Sequence, residues 1–274
     1  MKNLLLPILA IAALPLIPTD AAAQFYVVAD DGSVLYRMES GTPAYVTFEN
    51  PNPYDGTVGT AVDLGLPSGT LWADHNIGAT NPEDYGDYYS WGETATKETY
   101  DWSTYFDTND GGQKFGKYNN DDGKTELETS DDVASQTWGG KWQMPTRAMI
   151  EELKSQCYWV WTTTYNGKSV NGYIVYKAKT DADKGAKVTS GSSPSSDYDV
   201  ATDPHLFLPA AGFRQGSELS NEGLNGYYWS RSLDPFDSKN AYNLYFYSGG
   251  VLGYCTSSRD CGFAVRPVVL PAAE

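Results

Sequence analysis

Side chains that bind transition metals or form disulfide frameworks are scarce in this chain, which contains two histidines and three cysteines in 274 residues. His75 and His205 are far apart, and no cysteine lies at zinc-ligand spacing from either of them, which argues against a zinc site. Three cysteines are too few for a disulfide-rich scaffold. The chain also lacks a Gly-x-Ser-x-Gly nucleophile elbow and a phosphate-binding P-loop. No catalytic residue is therefore predicted, and we expect a protein that is not an enzyme.

Positive charge is also in short supply, because 19 lysines and arginines face 35 aspartates and glutamates, for a net charge of −16. Phosphate backbones and anionic membranes repel a chain this acidic, so neither nucleic acid nor an anionic membrane is expected as a partner. The acidic residues occur in short, dispersed clusters, which is typical of a soluble surface rather than of one functional acidic patch.

Long hydrophobic runs are confined to the N-terminus. Lys2 is followed by an apolar stretch over residues 4–17 and by three small residues at 21–23, a pattern that predicts a signal peptide over residues 1–23. A membrane anchor is the alternative, but the apolar run is shorter than the roughly 20 residues that a span needs and contains Pro7 and Pro15. We expect an exported protein without a membrane span, located at the cell surface, in the periplasm or outside the cell.

The rest of the sequence predicts many short strands and two helices, an α+β pattern. Residues 24–53 are expected to form a small β-hairpin unit and a linker, because two strand-like runs, 25–28 and 34–36, flank the turn signal Asp30-Asp31-Gly32. Residues 94–124 are polar and predict a long surface loop. One helix is predicted over 131–137 with Ser130 as its N-cap, and a second over 147–156.

The C-terminal hairpin carries the clearest functional signal. Residues 241–247 alternate, so that Leu244 and Phe246 face one side and Asn243, Tyr245 and Tyr247 face the other, ahead of a Gly-Gly turn at 249–250. Tyrosine offers rigid amphipathic contact area and asparagine offers adaptable hydrogen bonds, which suits recognition. We therefore predict an exposed ligand-binding surface formed by Arg231, Asp234, Asn243, Tyr245, Tyr247 and Tyr254.

Three further predictions concern the cysteines, Arg266 and one acidic loop. Cys255 and Cys261 are close in sequence and are expected to form a disulfide in an oxidising compartment, with Cys157 a buried thiol. Arg266 lies in an apolar closing segment and is expected to be buried against a carboxylate or backbone carbonyls. Residues 107–112 resemble the opening of a calcium loop, but Tyr118 stands at the twelfth position, where a bidentate acid is needed. No cofactor is predicted, although a loosely bound calcium ion is an alternative that the sequence leaves open.

Several sequence blocks, in order, resemble a known family. They are VDLGLPSGTLWA at 62–73, NIGA at 76–79, YGDYYSWGE at 85–93, WGGKWQMPT at 138–146, FLPAAG at 207–212, GYYWS at 226–230 and VRPV at 265–268. Together they resemble the FISUMP (major paralogous) domain family of secreted bacterial proteins, over residues 61–270. The resemblance implies a C-type-lectin-like fold of the formylglycine-generating-enzyme type.

The resemblance also bears on function. Some proteins of this kind are the variable proteins of diversity-generating retroelements, in which a C-terminal segment on the ligand-binding face is diversified; the matching segment here is 229–260. None of the three cysteines matches the catalytic pair of the enzyme branch, and fold alone does not confer activity. We expect an adhesin-like binding protein for an extracellular protein or glycan. A structural component of a surface assembly and a carbohydrate-active enzyme are the alternatives.

Overall fold

The computed structural model describes the strands Phe25–Val28 and Val34–Met38 and residues 58–108, 110–112, 114–119 and 121–271. The chain divides into two compact units, Met1–Pro53 and Tyr54–Glu274. In the first unit the two strands, β1 and β2, pair antiparallel over the two strand-like runs of the sequence. The predicted signal peptide and linker lie outside the described residues.

The second unit combines two α-helices with short, mostly antiparallel strands, in agreement with the α+β prediction at this coarse level. Its elements in chain order are β3 Ala61–Val62, β4 Leu71–Ala73, α1 Val133–Thr137, β5 Trp142–Gln143, α2 Arg147–Gln156, β6 Cys157–Tyr165, β7 Lys168–Lys177, β8 Lys187–Val188, β9 His205–Pro209, β10 Phe213–Gln215, β11 Glu218–Ser220, β12 Asn225–Leu233, β13 Asn240–Tyr247, β14 Gly250–Ser258 and β15 Val268–Val269.

The described strands of this unit form four small sheets, with the orders β3-β4-β15-β5, β8-β6-β7-β9, β12-β13-β14 and β10-β11. The turn between β6 and β7 is Asn166-Gly167, and both residues have positive φ, 49° and 75°. A two-residue hairpin turn of this type needs left-handed backbone at both positions, which asparagine and glycine tolerate best. Local sequence therefore sets this hairpin.

Side-chain caps set where the helices begin. Thr146 caps α2 by accepting a hydrogen bond from the Met149 N–H at 3.2 Å, and the helix has the predicted bounds. The first helix was predicted too long, because its cap is Asp132 and not Ser130. Asp132 accepts bonds from the N–H groups of Ser135 and Met144, at 3.0 and 2.9 Å, so the residues before it form a 3₁₀ turn instead.

The sheet β12-β13-β14 is covered on both faces. One face contributes Tyr228, Leu244 and Phe246 to a first apolar cluster. The other face contributes Trp229 and Ala241 to a second cluster, which also contains residues 261, 263 and 265 of the segment after β14. The sequence of the hairpin alone does not show that the second cluster covers this face, because residues 261, 263 and 265 come later in the chain.

Arg266 is buried as predicted, with 1 % of its surface exposed. Its guanidinium donates to the backbone carbonyls of Ala73, Asp74 and Phe207 at 3.1, 2.9 and 2.8 Å, and to Asn76 Oδ1 at 2.7 Å. Burial lowers the pKa of Arg266 to about 10, so the group still carries its charge at neutral pH. This arginine links β4 and β9 to the closing segment.

The polar segment 94–124 has no helix among its described residues, and Arg259 fixes it to the core. Arg259 is fully buried and donates to the Tyr105 hydroxyl at 2.9 Å and to the backbone carbonyls of Tyr118 and Ser238 at 3.2 and 3.0 Å. Its guanidinium also lies 4.3 Å from the centre of the Phe115 ring. A buried cation in an aromatic surround is thus one of the contacts that hold this long polar loop to the core.

Two of the three cysteines differ from the prediction. Cys255 and Cys261 are free thiols, which contradicts the predicted disulfide. Cys255 is half-buried on β14, opposite Asn243, whereas Cys261 belongs to the second apolar cluster, where burial raises its pKa to about 12. The two residues thus occupy different environments. Cys157 is a fully buried thiol, as expected.

Acid is expected to weaken this fold partly through Asp74. Burial by itself raises the pKa of Asp74, but hydrogen bonds from His75 and the Thr60 N–H outweigh it and hold the pKa below its usual value. The folded-state pKa thus lies below that of the unfolded chain, about 3.9. The carboxylate stabilises the fold above that pH, and the gain is lost as pH falls through the folded-state value.

The expected result is that Asp74→Asn destabilises the protein more at pH 5 than at pH 2. Urea unfolding of both proteins at the two pH values measures the difference between their midpoints. An equal difference at both pH values would contradict the assigned role of Asp74.

Candidate functional site

A ladder of aromatic rings runs from the core to the surface across the sheet β12-β13-β14. The Phe263 and Tyr227 ring centres are 5.0 Å apart, those of Tyr227 and Tyr245 are 4.9 Å apart, and those of Tyr245 and Tyr247 are 6.0 Å apart. Phe213 of β10 flanks the ladder, with its ring centre 5.0 Å from that of Tyr227. We call Phe263, Tyr227, Tyr245 and Tyr247, together with the flanking Phe213, the aromatic ladder.

Exposure rises along the ladder. Phe263 is buried, Tyr227 and Tyr245 are half-buried, and Tyr247 is 42 % exposed. Leu252, which pairs with Tyr245 across β13 and β14, is 43 % exposed. The second apolar cluster covers this face only at the Phe263 end, so the outer rings meet solvent while their inner neighbours hold them in place.

The hydroxyl and amide groups of the ladder give it a polar edge. Asn225 donates to the Tyr227 hydroxyl at 3.4 Å. Burial raises the pKa of the Tyr245 hydroxyl, with smaller contributions from the neighbouring Tyr227 and Tyr247, so it remains a neutral hydrogen-bonding group. Tyr173 donates to the Tyr247 carbonyl at 3.3 Å and helps to fix the backbone there. The surface combines flat rings for stacking with neutral polar atoms.

Asn243 was predicted on this surface, and that prediction is wrong. The residue is fully buried, and its amide donates to Ser257 Oγ at 2.9 Å. It shares a face with Tyr245 and Tyr247, as the alternation indicates, but it lies in register with Trp229, where the second cluster covers the sheet. Alternation predicted the face correctly, and the later segment of the chain decided the burial.

Arg231 and Asp234 make their contacts with other parts of the fold and not with the ladder. Arg231 is half-buried and donates to the Gln143 side chain and the Leu127 carbonyl. Asp234 is 8 % exposed, against the prediction of an exposed residue, because its carboxylate accepts a bond from the Phe236 N–H at 2.9 Å within a turn. The side chain of Tyr254 lies outside the described part of the chain.

Sequence reasoning missed Tyr227, Phe213 and Leu252. Tyr227 stands directly opposite Tyr245 in the strand register, which the sequence of β13 alone does not give. The alternation of the GYYWS block, with Tyr228 inward and Tyr227 outward, was the available signal. Phe213 had no such signal, because it comes from a separate hairpin, β10-β11.

Other chemistry is sparse in the described residues. They contain no group of three or more histidines, cysteines, aspartates or glutamates that could hold a metal ion. The Asp107 and Asp110 carboxylates of the calcium-like segment accept bonds from the backbone N–H groups of Lys117 and Lys114, at 3.0 and 2.9 Å. His75 is buried with its Nδ1 2.7 Å from Asp74 Oδ1. These contacts stabilise loops and the core.

The chain matches none of the protein-family models, curated proteins or solved structures with which it was compared. The resemblance to the FISUMP family therefore rests on the sequence blocks alone and stays a prediction. Within the described residues, none of the helices has the length and apolar character needed to cross a membrane.

Proposed function

We propose that this protein is exported and binds an extracellular protein or glycan through the aromatic ladder. The observation that carries the proposal is the ladder itself, in which Tyr245 and Tyr247 reach the surface on rings that the core holds in place. Its expected location after export is the cell surface, the periplasm or the medium.

Binding at the ladder costs little conformational entropy and provides both apolar contact area and hydrogen bonds. Tyr245 packs between two other tyrosine rings and Tyr247 packs on Tyr245, so little rotamer freedom is lost when a ligand binds. Exposed aromatic rings beside an apolar Leu252 supply area, and hydroxyl groups supply directional bonds. Apart from tyrosine hydroxyls, the ladder and Leu252 carry no ionisable group. A neutral ligand surface, such as an uncharged glycan or a polar protein patch, suits this chemistry.

The expected result on an array of glycans and extracellular proteins is specific binding by the wild type that Tyr245→Ala/Tyr247→Ala abolishes. A loss of at least 2 kcal/mol, roughly thirtyfold in Kd, is typical of paired interface tyrosines. Phe236→Ala is the matched control, because it removes a 91 % exposed aromatic ring from outside the ladder and should bind normally. Normal binding by the double variant would place the site elsewhere.

A further inference from the structure

A cleft of about 400 Å³ lies on the other side of the β10-β11 hairpin from the ladder. Successive residues of a strand point to opposite faces, so Phe213 joins the ladder while Arg214 lines the cleft. The wall also contains the buried Tyr88 and Tyr100 and part of the segment 96–98. The cleft is therefore structurally separate from the proposed binding face.

Arg214 is the unusual group in this cleft. It is half-buried, and its guanidinium lies 5.3 Å from the centre of the Tyr88 ring. Among the residues that the structure describes, no carboxylate lies within ion-pair distance of the Arg214 guanidinium and no acceptor takes a hydrogen bond from that side chain, whereas the backbone N–H of Arg214 donates to the Gly262 carbonyl at 2.8 Å. An arginine without a carboxylate partner is notable in a chain with 35 acidic residues. Its planar fork, fixed on an aromatic ring, suits a carboxylate.

The other charged groups in the wall limit what can bind. Lys97 is already committed, with its Nζ 2.8 Å from Glu93 Oε2. Asp87 is half-buried and accepts a bond from the Tyr89 hydroxyl at 3.4 Å, and Glu98 is exposed. These two carboxylates repel a ligand with several negative charges, so a single negative charge opposite Arg214 is the best match.

We propose that this cleft is a second binding site, for a small molecule with one carboxylate, which Arg214 receives. The carboxylate can belong to a sugar acid or to an amino acid, and the two sources share the same recognition chemistry. The site does not depend on the aromatic ladder, so its failure and the failure of the proposed function are distinguishable.

The test is a titration of the isotope-labelled protein with D-glucuronate, D-glucose and L-alanine, followed by the backbone amide signals of residues 86–88, 96–98 and 214. Glucuronate carries a carboxylate where glucose carries a hydroxymethyl group, and alanine carries a carboxylate and an ammonium group without a sugar. We expect saturable shifts with glucuronate, with alanine or with both, and none with glucose. A response to only one acid identifies the source of the carboxylate.

Arg214→Gln is expected to weaken the apparent Kd at least tenfold, since it removes the charged fork and keeps a polar side chain. Arg147→Gln is the matched control, because it removes an exposed arginine that also stacks on a tyrosine ring, 4.4 Å from the centre of Tyr242. The Tyr245→Ala/Tyr247→Ala variant should bind the acid normally. Equal shifts with glucose, no shifts with either acid, or unchanged binding by Arg214→Gln would overturn the proposal.

Discussion

Replacing Arg266 with alanine is expected to lower the free energy of unfolding by about 3–5 kcal/mol, the range for removing one partner of a buried, charged, hydrogen-bonded group. The substitution leaves three backbone carbonyls and the Asn76 side chain without their donor in a buried setting. Urea unfolding at neutral pH, monitored by tryptophan fluorescence, gives the change directly.

Arg266→Lys is a milder second variant, which tests the same prediction if Arg266→Ala fails to fold. Lysine retains the charge but not the planar fork that reaches three chain segments at once, so it should lose part of the same stability. Arg147→Ala, at an exposed position, should change stability by less than about 1 kcal/mol. Equal stabilities for Arg266→Ala and Arg147→Ala would contradict the account.

Arg259→Ala is expected to cost about 3 kcal/mol or more, and its effect should concentrate on segment 94–124. The guanidinium is fully buried, with the Trp91 ring centre at 4.8 Å and that of Phe115 at 4.3 Å. A desolvated cation on aromatic rings contributes about 2 kcal/mol, and the lost hydrogen bonds to Tyr105, Tyr118 and Ser238 add to this.

The local character of this effect can be measured by limited proteolysis. In the variant, cleavage within 94–124 should become faster than in the wild type at a denaturant-free condition where both proteins are folded. Lys239→Ala changes an exposed cation in the neighbouring turn and should leave the cleavage rate unchanged. If Arg259→Ala and wild type are cut at the same rate, the segment is held by other contacts.

Sequence predicted best the parts of this fold that depend on local interactions. The bounds of α2 follow from the Thr146 cap and the buried stripe of Ile150 and Leu153. The β13-β14 hairpin follows from the alternation over residues 241–247. Its turn is Ser248-Gly249 and not the predicted Gly249-Gly250, because Gly250 pairs with Tyr247 as the first residue of β14. The burial of Arg266 follows from the apolar residues on both sides of it.

The rest depended on residues distant in sequence. Asn243 and Asp234 read as exposed because each occupies a polar position near a hairpin, yet one is covered by the segment after β14 and the other is used in a turn. Tyr227 belongs to the ladder because the strand register places it opposite Tyr245. Arg214 lines the cleft because a separate hairpin, β10-β11, carries it there. Pairing and covering of this kind appear only once the whole chain is folded.

The central claim, that the aromatic ladder is the ligand-binding face, is tested most directly by calorimetric titration of one array-identified ligand. Wild type, Phe236→Ala and Tyr245→Ala/Tyr247→Ala are compared at equal concentration. The melting temperature of each variant is first compared with that of the wild type, to show that the variant is folded. We expect equal Kd values for wild type and Phe236→Ala, and a Kd raised at least about thirtyfold for the double variant. A double variant that stays folded and binds with the wild-type Kd would contradict it.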